Sequence, residues 1–252
     1  LFIIASFVTK IDAFPIEGLV LHLSFDEGTV DGDEVEDLSG KGNNGIINGE
    51  AELTEGKFGE ALLFDGVDDF VEIPLTPDIT FSKGSSFSVQ AWIKTEDEPT
   101  QNDGILGNYR QSTDALWMLS VNGDDAAKRG KPGFYLRDVG RANSASITSP
   151  DFLNDNKWHQ LVGVRDQDAE KSRFYVDGKL VEEVDDQTDD INSGQSIWIG
   201  EHLNRFYQGA IDDVKIWGRV LTSDEVNKSG LGIQAVNASS KLATSWGLLK
   251  NH

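Results

Sequence analysis

The sequence predicts an all-β protein, an antiparallel two-sheet sandwich or jelly roll with one short helix near its C-terminal end. Three observations carry this. Short apolar runs recur along most of the chain, bounded by Gly, Asn and Asp turn chemistry. Several of them alternate apolar and polar residues with the period of a half-buried strand. A helical period is almost absent, and no strand–helix–strand alternation appears that would call for a parallel sheet.

The first runs are "GLVLHLSF" (18–25), "ALLFDG" (61–66), "DFVEIPL" (69–75) and "SFSVQAWIKT" (86–95). In the last, Phe87, Val89, Ala91 and Ile93 share one face while Ser88, Gln90, Trp92 and Lys94 share the other. Next come "ALWMLSV" (115–121), "GFYLRDV" (133–139), "WHQLVGVRD" (158–166) and "RFYVDGKLVEEV" (173–184). Within the last of these, Asp177-Gly178 signals a hairpin with a type I′ turn. "QSIWIG" (195–200) and "AIDDVKIW" (210–217) close the series. The helix is expected at "LTSDEVNKSG", with Thr222 or Ser223 as N-cap, acids in the first turn and Gly230 at the end.

Composition limits the partners. With 43 acidic and 22 basic residues in 252, the net charge is −21. Nucleic acid and anionic membranes are repelled, whereas divalent cations are favoured. Cysteine is absent, which removes disulfides, thiolate metal sites and Cys nucleophiles. At the N-terminus, the apolar stretch Leu1–Val8 followed by Ala13 and Phe14-Pro15 reads as the back half of a signal peptide, so an exported protein is expected. The stretch is too short to span a bilayer. The expected division is 1–15 as signal remnant or extension, 16–228 as one domain, and 229–252 as a tail or connector.

Three segments read together resemble a known family: "GLVLHLSFDEG…DLSGKGNNGIINGEAELTEGKFGEALLFDGVDDFVEIP", "SFSVQAWIKT" with "NDNKWHQLVGVRDQDAEKSRFYVDGKLVEE", and "IWIGEHLNRFYQGAIDDVKIWGRVLTSDEV". Over about residues 16–228 they are similar to the laminin-G-like jelly roll of the concanavalin A-like lectin/glucanase superfamily, in its bacterial exported form. The resemblance implies a carbohydrate-binding or adhesive module, with a structural calcium ion in many members.

Strict alternation along "AIDDVKIW" puts Asp212 on the face of Val214 and Ile216, and Asp213 on that of Ile211, Lys215 and Trp217. One carboxylate then faces the core, which costs several kcal/mol if it stays charged and unpaired (on the order of 2–7 for a neutral polar group alone). The segments "FDEG" and "DLSGKGNNG" supply oxygen donors of the kind calcium takes. In the resembling family the matching aspartates and Gly-rich loop lie together. The resemblance therefore implies a calcium site at Asp26, Asp37, Asn43 and Asp212. The alternative is that Asp26 and Asp37 cap turns and Asn43-Asn44-Gly45 forms one.

Catalytic signatures are weak. "EEVDDQTDD" offers Glu183 and Asp185 at the spacing of a glucanase acid pair, but Thr188 stands where a third acid belongs. None of His22, His159, His202 and His252 lies in a metalloprotease or triad context. For ligand binding, 102–117 and 201–209 depart from the generic pattern. Tyr109, Arg110, Trp117, His202, Asn204, Arg205 and Tyr207 are the candidates for gripping a glycan, unless these aromatics only staple loops to the sheet. The expected function is a non-catalytic carbohydrate-binding or adhesion module. The alternatives are a glycan-active hydrolase or lyase of the same fold, and a protein-binding laminin-G-like module.

Overall fold

The computed structural model describes residues 14–109 and 115–231. Seven strands precede a long central one: β1 (Leu19–Leu23), β2 (Val30–Asp31), β3 (Glu34–Val35), β4 (Gly45–Asn48), β5 (Glu52–Glu55), β6 (Glu60–Asp65), β7 (Phe70–Ile73) and then β8 (Phe87–Lys94). The middle of the chain forms β9 (Asp103–Gly107), β10 (Leu116–Val121), β11 (Pro132–Arg137), β12 (Ser144–Thr148), β13 (His159–Asp166), β14 (Lys171–Val176) and β15 (Lys179–Asp185). It ends with β16 (Ile197–Ile199), β17 (Glu201–His202), β18 (Arg205–Phe206), β19 (Gln208–Trp217) and helix α1 (Ser223–Ser229). The expected signal remnant up to residue 13, Arg110, and the tail from 232 onward lie outside the described residues.

Among the described residues, eight strands form a first sheet in the order β15-β14-β13-β8-β19-β6-β5, with β1 also on β19. Nine form a second, β12-β11-β10-β9-β16-β7-β4-β3-β2, and β17 pairs with β18 apart from both. The two large sheets pack as an antiparallel jelly-roll sandwich, as the strand pattern predicts. Phe87, Val89, Ala91 and Ile93 all point into the core between the sheets, where they meet Trp117, Leu119, Phe134 and Leu136. Each of the larger side chains, the Val, Leu, Ile and Phe of this set, contributes roughly 1.5–3 kcal/mol by leaving water. Phe134 packs so close to Gly163 of β13 that a Cβ there would lie 2.5 Å from its ring, which explains a glycine between Val162 and Val164 inside a strand. The hairpin at Asp177-Gly178 forms with φ of 49° and 73°, both positive as a type I′ turn requires. Helix α1 begins at a capping box in which Thr222 Oγ1 accepts from the Glu225 amide (3.3 Å) and Glu225 Oε2 accepts from the Thr222 amide (2.9 Å).

The strict alternation expected along "AIDDVKIW" breaks at Asp213. Asp212 sits opposite Trp92 of β8 and Lys215 opposite Gln90, so three steps on β19 match two on β8. This is a β-bulge, and Asp213 takes φ = 49° to make it. Asp212 and Lys215 therefore share the outer face of the first sheet, while Ile211, Val214 and Ile216 face the core. The bulge falls at a seam: along one edge, β19 pairs with β6 at 208–211 and with β1 at 214–217.

At the β1 end the outer face is covered. Phe14, Leu19, Tyr175, Leu221 and Val226 pack there against Trp217. Beneath this cover lies a polar network. His22 Nε2 stands 2.9 Å from Asp213 Oδ1, and Lys215 Nζ pairs with Asp213 Oδ2. Gln160 Nε2 donates to Gln90 Oε1 at 2.9 Å and to the Val226 carbonyl of α1 at 3.1 Å. Burial works against the Asp213 charge, but Lys215 and His22 outweigh it and hold its carboxyl below the usual range.

Candidate functional site

The far end of the same outer face is open. A trough of about 800 Å³ runs over it, floored by Leu63, Lys94 and Ala210 and flanked by Glu52, Asp65 and Glu96. Opposite pairing of Glu52 with Leu63, of Leu63 with Ala210 and of Ala210 with Lys94 puts these four side chains in one row across four strands. Beyond the rim lies a cleft of about 510 Å³, lined by Asp97, Asp103, Asn204, Arg205, Phe206 and Gln208 among others. Asp97 and Gln208 line both, so trough and cleft join.

The sequence-derived ligand residues divide in this setting. Asn204 and Arg205 line the cleft. Asn204 is exposed in a left-handed conformation (φ 57°), with its amide donating to Glu201 Oε1 at 2.7 Å. Arg205 Nη1 donates to Asp124 Oδ2 at 3.0 Å, which spends part of its charge on the protein. The other described residues are buried. Trp117, 1% exposed, belongs to the core and packs against Phe81 and Phe87, because alternation along β10 puts it with Leu119 and Val121. Tyr207, 2% exposed, meets the Phe64 ring edge-on. Tyr109 packs on His202 at 5.0 Å between ring centroids, with the Arg137 guanidinium 5.3 Å from the Tyr109 ring. Burial lowers His202 to about 4, so its imidazole is neutral at physiological pH. These aromatics build the loop's foundation, and its working surface is polar.

That surface includes groups the sequence reading passed over. Phe206 is half-buried against Phe70, and Val67 is exposed, giving the cleft an apolar wall. Gln101 and Gln208 add planar amides. Asp103 is buried, and burial first, then the nearby charge of Asp97, raises its carboxyl to about 7. Asp97 is raised as well, also by burial. The one available signal was "TEDEPTQND", a polar run interrupting two strand patterns.

The four residues of the expected metal site separate into two pairs. Asp26 and Asp212 converge on the turn that leads into β6: Glu60 N–H donates to Asp26 Oδ1 (3.1 Å) and Phe58 N–H to Asp212 Oδ2 (2.9 Å). Gly59 at φ 59° lets Asp26 approach, since a Cβ there would lie 1.9 Å from Oδ1. Asp212 is fully buried and its Oδ1 has no hydrogen-bond partner. Burial, with Asp213's charge adding to it, raises its carboxyl to about 7 against the pull of the Phe58 amide.

Asp37 and Asn43 do something else. Asp37 accepts four hydrogen bonds, from His22 N and Ser39 N at Oδ1 and from Ser39 Oγ and Asn43 N at Oδ2, all within 2.9 Å. Asn43 Nδ2 donates to the Val20 carbonyl, and its Oδ1 accepts from Thr76 Oγ1. These two tie the Gly-rich loop to β1, the turn-capping role that the residue types also allow.

Two further acidic sets have protein partners. Glu183 and Asp185 lie on edge strand β15, paired with Arg173 and Lys171 respectively, each at 2.5 Å. Asp65, Asp68 and Asp69 bring carboxylate oxygens within 4.8 Å of one another. Both oxygens of Asp69 accept backbone amides, from Glu50 and Asp65, which shapes the β6–β7 turn.

Two antiparallel sheets packed as a jelly roll, with a loop-lined cleft at one end, define a lectin-type binding domain. The chain belongs to the concanavalin A-like lectin/glucanases superfamily, whose laminin-G family model matches residues 65–227. It is similar to botulinum neurotoxin type X of Clostridium botulinum, 30% identical over 173 residues, which cover 66% of this chain and 12% of the toxin. It is also similar to a botulinum-like toxin of Enterococcus, 22% identical over 217 residues, 83% of this chain and 16% of that one. The chain thus spans a small part of the toxins it matches.

Among solved structures, the binding domain of Paraclostridial Mosquitocidal Protein 1 superposes with a TM-score of 0.69 at 16% identity, over 85% of this chain and 52% of that one. The botulinum neurotoxin serotype G binding domain gives 0.66 at 20% identity, over 84% and 50%. Domain 4 of AbnA, a GH43 extracellular arabinanase from Geobacillus stearothermophilus solved with arabinotriose, gives 0.64 at 18%, over 84% of this chain and 98% of that one. At these identities the structural likeness establishes the fold. No helix among the described residues is long and apolar enough to cross a membrane.

Proposed function

We propose that this chain is a non-catalytic carbohydrate-binding module of an exported protein, holding a glycan in the cleft and along the adjoining trough. The observation that carries this reading is the cleft's composition. An apolar wall at Phe206 and Val67 stands beside the amides of Asn204, Gln101 and Gln208, matching the apolar face and hydroxyl edge of a pyranose or furanose ring. Asp97 and Asp103 line the same cleft, and Arg205 is engaged with Asp124, so a neutral glycan fits better than an acidic one. The arabinotriose bound to the AbnA domain supports this ligand class, and the toxin relatives support export. Isothermal titration with neutral oligosaccharides, arabinotriose first, tests it. Saturable binding that Asn204→Ala and Phe206→Ala weaken at least tenfold is the expected result, and no heat with any oligosaccharide overturns it.

Structural calcium belongs to this reading at Asp26 and Asp212. The fit rests on the orphaned Asp212 Oδ1, a hard oxygen with no protein donor, beside a second carboxylate on the same turn. A cation there would neutralise a carboxylate that burial makes costly, and would join the end of β1 to β19.

A further inference from the structure

The tip of the β17–β18 ribbon sits in a disfavoured backbone conformation. Leu203 and Asn204 take φ of 55° and 57°, the left-handed pair of a type I′ turn, which Asn-Gly fills at least cost. A leucine is held there against its preference. Around this ribbon, three loops are braced to one another. Gly104 lets β9 approach β17, since a Cβ there would lie 2.5 Å from the Glu201 carbonyl oxygen. His202 is buried, and its Nδ1 donates to the Asn102 carbonyl at 3.3 Å. The Asn102 side chain ties in the third loop: its Oδ1 accepts the amides of Gly123 at 2.9 Å and Asp124 at 3.3 Å. Gly123 in turn lies against the backbone of Gln101, where a Cβ would come within 2.0 Å of the carbonyl oxygen.

The brace ends on one side chain. Arg205 follows the turn and lines the cleft, whereas Asp124 and Asn102 do not. Arg205 Nη1 donates to Asp124 Oδ2 at 3.0 Å, and among the described residues this is the guanidinium's one hydrogen bond. The Nε–Nη2 edge is left with two parallel N–H donors, on a residue held in place by its other nitrogen. Such an edge matches two neighbouring oxygens, either of a carboxylate or of hydroxyls on adjacent carbons. Asp124 already gives Arg205 a negative partner, and Asp97 and Asp103 line the same cleft. An anion is therefore disfavoured, and a vicinal diol is the complement.

Resting on the carbohydrate-binding reading, we propose that Arg205 is the specificity-determining residue of the cleft, gripping a vicinal diol of the neutral glycan, with Asp124 and Asn102 as positioning residues that aim it. The brace supplies preorganisation. A long side chain is fixed before the sugar arrives, so less rotamer freedom is lost on binding.

Calorimetric titration of the whole chain with arabinotriose and cellotriose, each beside a counterpart deoxygenated at C2, tests this. Wild type is expected to bind a parent trisaccharide at least tenfold more tightly than its deoxy counterpart. Arg205→Ala should weaken the parent tenfold or more and bring it level with the deoxy sugar. Arg205→Lys should not rescue binding, because an ammonium lacks the parallel fork. Asp124→Ala should weaken binding severalfold in wild type and have no effect in the Arg205→Ala background, a non-additivity that general loop damage would not produce. Unshifted thermal transitions show that the variants are folded. Equal affinity of wild type for parent and deoxy sugars overturns the diol assignment while leaving the carbohydrate reading standing. Unchanged affinity in Arg205→Ala overturns it as well, and an Asp124→Ala effect that persists without Arg205 overturns the positioning role. If wild type binds no neutral oligosaccharide, the carbohydrate reading falls and this inference with it.

Discussion

The two ends of the first sheet's outer face treat buried charge in opposite ways. Under helix α1, Asp213 is met by Lys215 and His22, and two glutamines link the network to the helix. At the open end, burial raises Asp103 to about 7 beside the cleft, and at the seam between them the Asp212 Oδ1 has no hydrogen-bond partner. Asp212 and Asp213 are adjacent in sequence and both are buried, yet one is held below its usual pKa and the other is raised to about 7. At the covered end the carboxylate is paired within the protein. At the seam and at the open end a carboxylate is raised by burial instead.

The largest effect that sharpens this contrast is expected at the covered end. Asp213→Asn leaves the buried Lys215 ammonium without its counter-charge and should cost about 3–5 kcal/mol in denaturant unfolding. Trp117→Ala should cost a similar amount, about 3–5 kcal/mol, as a core deletion, and would read as misfolding rather than as a binding defect.

Asp212→Asn should behave in the opposite sense. The folded carboxyl is raised to about 7, above its unfolded value of about 3.9. Its stabilising contribution is therefore full below about pH 4 and is lost as pH rises through 7. Without divalent ions, the variant should be more stable than wild type at pH 8, by an amount on the order of a few kcal/mol, and indistinguishable from it near pH 4. Calcium at a hundredfold excess over Kd should stabilise wild type by about 2.7 kcal/mol and leave the variant unmoved. Thermal scans with calcium and with chelator check both points. Equal calcium responses would remove Asp212 from any metal site.

The bulge behind this contrast was not legible in the sequence. "AIDDVKIW" looks like uninterrupted alternation, and a bulge inserts one residue without a compositional mark. Only the pairing with β8 and the seam between β1 and β6 reveal it. Elements set by local chemistry were legible: the Asp177-Gly178 turn, the Thr222 cap, and the faces of β8. Trp117 was legible too, had the alternation of "ALWMLSV" been followed as it was for β8. Its place in an atypical segment drew it into the ligand set instead. The cleft depends on two loops meeting in space, 97–103 and 204–208, and no spacing within either one encodes that.

The smallest effect is expected away from both ends. His159 bridges Asp177 at 2.9 Å and Asp155 at 3.1 Å, and chiefly the hydrogen bond to Asp177 raises its pKa despite partial burial. Its contribution is full below the unfolded value of about 6.5 and lost as pH rises through the raised folded value. Since both carboxylates are partly exposed, His159→Gln should cost about 1 kcal/mol at pH 6 and less at pH 9.

The most direct measurement is an amide chemical-shift map of the isotope-labelled chain titrated with a neutral oligosaccharide. The expected result is saturable shifts at Gln101, Asn204, Phe206 and Gln208, with His22, Asp213 and Lys215 unmoved. Shifts confined to the helix-covered end, or none at saturating sugar, would contradict the division between a finished end and a binding end.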